Sequence, residues 1–186
     1  MHAWAATQTQ CGQTRWAVYM TADRQWFVDI YERHYDAVLR YAWRRVGPDD
    51  AADVVAETFT IAWRRLRDVP EDMPLPWLYG VARNLIANRR RKDRRRGVPD
   101  AFDAGVYLVE PDHAEALGRR DAALAALHDL SDDDREIVRL IAWEGLTTAE
   151  TAVVLGCSAA AATVRLHRAR RRIEKLMSAK LEEVAS

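Results

Sequence analysis

Apolar residues in this chain return at three- and four-residue steps, and no segment shows the strict alternation and hairpin turns of a half-buried strand. That period restricts the chain to an all-α fold. The first long run carries Trp26, Phe27, Ile30, Tyr31, Tyr35, Val38, Leu39 and Ala42. It opens near Asp23 and stops at Gly47-Pro48, which predicts a long amphipathic helix with room for one break. A second helix is expected from Asp50 to about Arg67, with Val55, Phe59, Ala62, Trp63 and Leu66 on one face. At about 100° per residue, Asp50, Asp53, Glu57 and Arg64 fall on the opposite face. Prolines and acids make Asp68 to Pro74 a loop, and Pro76 suits the first turn of a third helix, where its missing N–H costs nothing.

Punctuation divides the 186 residues into small units. Residues 1–22 mix Gln, Thr and Ala with Trp4 and Trp16 without a sustained period, and are expected as a loose tail of unreadable role. A first helical domain spans 23–96. Residues 97–120 open Gly-Val-Pro-Asp and contain Gly105, Pro111 and Gly118, the composition of a linker. A second helical domain, 121–180, follows. In it, Ala122 to Leu130 is helical, Ser131 with Asp134 resembles a capping box, and Gly145 ends the helix that begins there. Thr147-Thr148-Ala149-Glu150 is a further capping box, opening a short helix that stops at Gly156, and Ser158 caps a last helix with Ala162, Leu166, Ala169, Ile173 and Leu176 on one stripe.

The charge balance of 28 basic and 28 acidic residues hides a sharp segregation. Arg83 to Arg96 holds eight basic residues against Asp93, and Arg165 to Lys180 holds seven against Glu174. Between these blocks, Asp100 to Asp134 carries ten acids against Arg119 and Arg120. Two basic helices joined by a flexible acidic connector point to two sites for a polyanion.

Several function classes drop out. A hydrophobic content of 49% with 30% charged residues suits a packed, soluble fold, and the length excludes a large multi-domain enzyme. Cys11 and Cys157 make neither a disulfide framework nor a zinc cluster, and no stretch approaches the ~20 apolar residues that cross a bilayer, so a cytoplasmic protein without membrane insertion is expected. His2, His34, His113, His128 and His167 are scattered, and no nucleophile elbow or Gly-rich phosphate loop accompanies them. Neither catalysis nor a metal or other cofactor is expected.

The helix, Gly156-Cys157-Ser158, helix pattern has the tight turn of a helix-turn-helix, whose second helix fits the major groove. Arg165, Arg168, Arg172 and Lys175 run beside its apolar stripe. Ala160, Thr163, Val164, His167 and Arg171 face outward, a surface poor in bidentate base readers. In the third helix Trp77, Leu78, Val81, Ala82, Leu85 and Ile86 form the apolar face. Gly80, Arg83, Ala87, Arg90, Arg91 and Arg94 form the other, with Asn84 and Asn88 at its margin. Small residues between arginines let a backbone approach while guanidinium groups hold phosphates. Trp77, taken alone, suits the core better than a base-stacking platform.

These segments resemble bacterial sigma factors of the extracytoplasmic-function type. Asp50-Ala-Ala-Asp-Val-Val-Ala-Glu-Thr-Phe-Thr-Ile-Ala-Trp63 is similar to that family's polymerase-binding helix. Pro76-Trp-Leu-Tyr-Gly-Val-Ala-Arg-Asn-Leu-Ile-Ala-Asn-Arg-Arg-Arg91 resembles its promoter-melting, −10-reading helix. Leu130 to Val138, Glu150 to Ser158 and Arg165 to Arg170 look like its −35-binding domain. The resemblance spans about residues 24–178 in the right order.

It implies a non-catalytic initiation factor that binds core RNA polymerase, directs it to −35 and −10 elements, promotes melting and answers to an anti-sigma factor. The polymerase-binding residues would be Asp50, Asp53, Glu57 and Phe59. Trp77, Arg83, Asn84, Asn88, Arg90 and Arg91 would serve the −10 DNA. Ser158, Thr163, Arg165, His167, Arg168, Arg171 and Arg172 would serve the −35 DNA. Ala56 stands where the family often has Gln, Asn88 where it often has Asp, and Thr163 where a lysine is usual. A dimeric helix-turn-helix regulator that binds an operator without polymerase is the alternative reading.

Overall fold

Gly47 breaks the longest helical run. Its φ of 83° and ψ of 176° lie in a region that only glycine enters without strain, and Pro48 follows as the first residue of a new helical arm. The structure, a computed structural model, describes residues 7–96 and 123–184. Helix α1 (Thr7–Arg64) is bent at this glycine, and a 3-10 turn (Leu66–Asp68) leads through a short loop to α2 (Pro74–Arg95). After the linker come α3 (123–128), α4 (Asp132–Ala142), α5 (Thr148–Leu155) and α6 (Ala159–Val184).

Three expectations shift. The segment read as a loose tail is helical from Thr7, because it holds no proline and a helix already nucleated propagates cheaply through Gln, Thr and Ala. The second arm of α1 stops at Arg64, where the backbone tightens into the 3-10 turn that buries Leu66 and Val69. Pro74, not Pro76, opens α2, so both prolines sit in its first turn. The acidic linker lies outside the described residues.

The first domain buries Ile30, Val38, Tyr41 and Ala42 from one arm of α1, Val54, Val55, Phe59 and Ala62 from the other, and Leu78, Tyr79, Ala82 and Ile86 from α2. Ile137, Ala152, Ala162, Leu166 and Ala169 hold α4, α5 and α6 together. The two cores are not separate bodies. Leu140, Leu146 and Val154 of the second domain join the first domain's cluster, and α2 packs on α5. A Cβ on Gly80 would stand 3.5 Å from the Val154 carbonyl oxygen, so the backbone that approaches the small residues of α2 is α5.

Candidate nucleic-acid interface

Local sequence builds the helix-turn-helix as expected. Thr147 and Glu150 form a complete capping box: the Thr147 hydroxyl accepts from the Glu150 N–H at 3.2 Å and the Thr147 N–H donates to the Glu150 carboxylate at 2.8 Å. Gly156 closes α5 at φ 64°, with the Cys157 N–H donating to the Ala152 carbonyl at 3.0 Å. The Ser158 hydroxyl then accepts from the Ala161 N–H at 3.2 Å, and α6 leaves at 101° to α5. Ser131 caps α4 in the same way, accepting from the Asp134 N–H at 3.3 Å.

On α6, Thr163, Val164, His167, Arg168, Arg171 and Arg172 are exposed, while Arg165 is half-buried. The Thr163 hydroxyl donates to its own helix at the Ala159 carbonyl, 2.9 Å away. Ser158 is occupied as a cap. The outward start of α6 is therefore nearly without free polar groups for base edges.

The basic face of α2 is partly engaged within the protein. Arg90 donates to the Arg45 carbonyl at 2.9 Å, beside the Gly47 break, where helical carbonyls lose their usual donors. Arg91 donates to the Asn88 side chain, and Asn84, Asn88 and Arg91 are exposed. Trp77 is half-buried against the core with the Arg65 guanidinium 5.9 Å from its ring centre. Arg83 crosses to the second domain and pairs with Asp133 at 2.9 Å.

On the second arm of α1, Asp50, Asp53 and Glu57 share an exposed face, as their spacing requires. Arg89 of α2 reaches Glu57 at 2.8 Å and Asp50 at 3.5 Å. Phe59 is a correction. It is 3% exposed, packed edge-on to Tyr31 at 4.8 Å and near Phe27 and Tyr35, so it supports the helix from below and offers no surface to a polymerase. Trp63, placed with the core by its spacing, stays 45% exposed against Phe27.

Between the domains lies a network that the sequence reading missed. The Arg45 guanidinium sits 3.5 Å above the Tyr41 ring and donates to Glu136 at 3.0 Å and to Glu144 at 2.9 Å. Tyr41 donates its hydroxyl to Glu136 at 2.9 Å, stacks on Tyr79 at 4.6 Å, and Arg44 closes the ring by pairing with Glu144. Arg45 and Glu144 are 3% and 2% exposed. Burial works against the Arg45 charge, but Glu136, Tyr41 and Glu144 outweigh it and raise its pKa above the ordinary value. Burial raises the Tyr41 phenol well above its usual range, and burial with the nearby Glu144 charge pushes Tyr79 up to about 12. One signal was available: Val38, Tyr41, Ala42 and Arg45 share the buried stripe of α1, so a charged group interrupts an apolar face.

Residues 30–96 match the family description "Sigma-70 region 2", and residues 120–173 match "Sigma-70, region 4". The chain is 34% identical to the ECF RNA polymerase sigma factor SigL of Mycobacterium tuberculosis over 144 residues, covering 74% of this chain and 81% of SigL. This chain is an ECF-type RNA polymerase sigma factor. Another relative, CnrH of Cupriavidus metallidurans, is 32% identical, with 84% of this chain and 89% of that one covered. Among solved structures, the sigma factor RpoE in complex with the anti-sigma factor NepR from Bartonella quintana aligns with a TM-score of 0.58 at 28% identity, over 82% of this chain and 96% of that one. CnrH in complex with the cytosolic domain of CnrY gives 0.56 at 27%, over 82% and 88%. Membership makes the chain a transcription initiation factor, not an enzyme, that directs RNA polymerase to promoters. It sets aside the reading as a polymerase-independent operator binder.

Proposed function

We propose that the two domains, 23–96 and 121–180, divide promoter recognition between them. Asp50, Asp53 and Glu57 dock the second arm of α1 on a basic surface of core polymerase. Arg83, Asn84, Asn88, Arg90 and Arg91, with Trp77 at the start of the helix, hold the opened −10 strand and promote melting. Ser158, Thr163, Arg165, His167, Arg168, Arg171 and Arg172 bring the start of α6 to the −35 duplex. The observation that carries this reading is the face of α2 on which small residues alternate with arginines, opposite the apolar side packed into the first domain's core. No single described helix is long and apolar enough to cross a membrane. An anti-sigma partner is part of the proposal, supported by the RpoE structure, which is described with one.

Run-off transcription with purified core polymerase and a genomic promoter library tests the whole reading. Promoter-dependent transcripts that need both proteins are expected. Duplex binding by the chain alone, with no polymerase-dependent initiation, would overturn it.

A further inference from the structure

We infer, resting on the functional reading above for what this face meets, that Arg89 is a positioning residue for polymerase docking. Its guanidinium forks between Asp50 and Glu57 and holds both carboxylates in place before the polymerase arrives. Arg89 leaves α2 toward the second arm of α1. Its Nη2 donates to Glu57 Oε1 at 2.8 Å, and its Nη1 stands 3.5 Å from Asp50 Oδ1. Those two acids lie about two helical turns apart on the arm, so one planar group joins its start to its middle. The next residue of α2, Arg90, donates to the Arg45 carbonyl at 2.9 Å, on the other side of the Gly47 break. Neighbouring arginines of α2 thus touch both arms of α1, which fixes the place from which Arg89 reaches.

Asp50, Asp53 and Glu57 share one helical face, where like charges repel, and each loses rotamer freedom when a partner fixes it. Arg89 offsets both effects. It sets a positive charge between two of the acids and orders them within the free chain. The acids remain able to bind, because the Glu57 and Asp50 side chains stay 53% and 62% exposed and a carboxylate accepts at more than one lone pair. Arg89 itself is only 28% exposed, with its guanidinium turned to these carboxylates. That direction favours a role at the docking face over a grip on −10 phosphates, although Arg89 lies within the basic block of α2.

Full-length variants decide it: Arg89→Ala, Arg89→Lys, the pair Asp50→Asn with Glu57→Gln, and that pair with Arg89→Ala added. Circular dichroism checks helicity, and biolayer interferometry reads association and dissociation with purified core polymerase. Lost pre-ordering shortens the life of the complex, so Arg89→Ala should dissociate about fivefold faster than the parent. Its association should not slow, since a positive charge has left a face that meets a basic one. Arg89→Lys keeps the charge without the fork and should dissociate as fast as Arg89→Ala. In the Asn/Gln pair, itself weaker than the parent, adding Arg89→Ala should change nothing further. The Arg89→Ala holoenzyme should keep the parent's salt slope on a single-stranded −10 oligonucleotide. Parent-like or slower dissociation of Arg89→Ala overturns the inference, as does an equal loss in the Asn/Gln background. A salt slope lowered by about 0.7 would make Arg89 a phosphate contact and overturn it too. Parent-like dissociation of Arg89→Lys would leave charge alone as the cause and overturn the fork. Parent-like binding by the Asn/Gln pair would instead refute the docking face, and with it the functional reading of α1.

Discussion

Arg89 donates to Glu57 at 2.8 Å, so a basic residue of the helix proposed for −10 DNA steadies an acid of the helix proposed for the polymerase. Both side chains are partly solvated, and the pair adds little to stability. Its consequence is geometric. Glu57 and Asp50 are drawn toward α2, while Asp53, between them in sequence, is exposed and is the charge proposed for docking.

Asp53→Arg should therefore weaken holoenzyme assembly without disturbing the fold. Reversing a charge desolvated at an interface typically costs ~2–5 kcal/mol, at least a tenfold loss of affinity. Titration with core polymerase on native gels measures it, with circular dichroism as the folding control. Affinity equal to the parent's would remove Asp53 from the interface.

Arg83→Ala with Asn84→Ala should separate binding from opening. Asn84 is exposed and Arg83 is half-buried beside Asp133, and a base extruded next to the short loop before α2 would have to be held against a stacking cost of a few kcal/mol. In the assembled holoenzyme, permanganate reactivity of the bubble should fall while the −35 footprint persists. An unchanged bubble would refute the assignment.

Helix positions and the helix-turn-helix were legible because their signals are local. The Thr147 and Glu150 capping box, the left-handed Gly156 and the Ser158 cap each act within a few residues, and all three sit where the sequence put them. The packing of one domain on the other was not legible. It depends on Arg45 meeting Glu136 and Glu144, 91 and 99 residues away, and nothing in the local pattern of an acidic stretch says which carboxylates turn inward. Phe59 failed differently. The reading put it on the apolar face and in the docking set together, and its burial shows that the first placement governs.

Thr151→Val should stabilise the protein. Thr151 of α5 is completely buried, and its hydroxyl has no hydrogen-bond partner among the described residues. A buried hydroxyl left without a partner costs about 1–3 kcal/mol, and valine fills nearly the same space. A gain of about 1 kcal/mol in urea unfolding is expected. A loss of that size would mean that the hydroxyl is satisfied in solution.

His34 should make stability depend on pH at the acidic end. Burial, helped by the neighbouring Arg33 charge, lowers its imidazole pKa below the ordinary value of 6.5. The unfolded chain then binds this proton first, so stability from this group is complete above about pH 6.5 and falls as pH drops from there through the lower folded value. His34→Gln should flatten the fall relative to the parent when urea midpoints are compared from pH 7.5 to 5. Parallel curves would show that His34 does not contribute.

In the −35 contact proposed here, the start of α6 would offer the exposed Ala160, Thr163 and Val164 to the groove, and the Thr163 hydroxyl already donates to the Ala159 carbonyl. Direct readout needs donors and acceptors free to meet base edges, and these positions supply almost none. Arg168 and Arg172 are exposed beside them, and Arg165 is half-buried 3.5 Å from Asp133. Affinity should therefore come mainly from phosphates, and sequence preference from duplex shape. Each phosphate contact releases counterion, so Arg168→Ala should lower the salt slope of holoenzyme binding by about one while leaving the ranking of −35 variants unchanged. His167 and Arg171 are exposed and able to reach base edges, so their alanine variants are where a change in ranking should appear. Binding to a panel of −35 duplexes at several salt concentrations decides between the two accounts. Lost discrimination at one base pair in Arg168→Ala, with the slope unchanged, would establish direct readout and overturn the phosphate assignment.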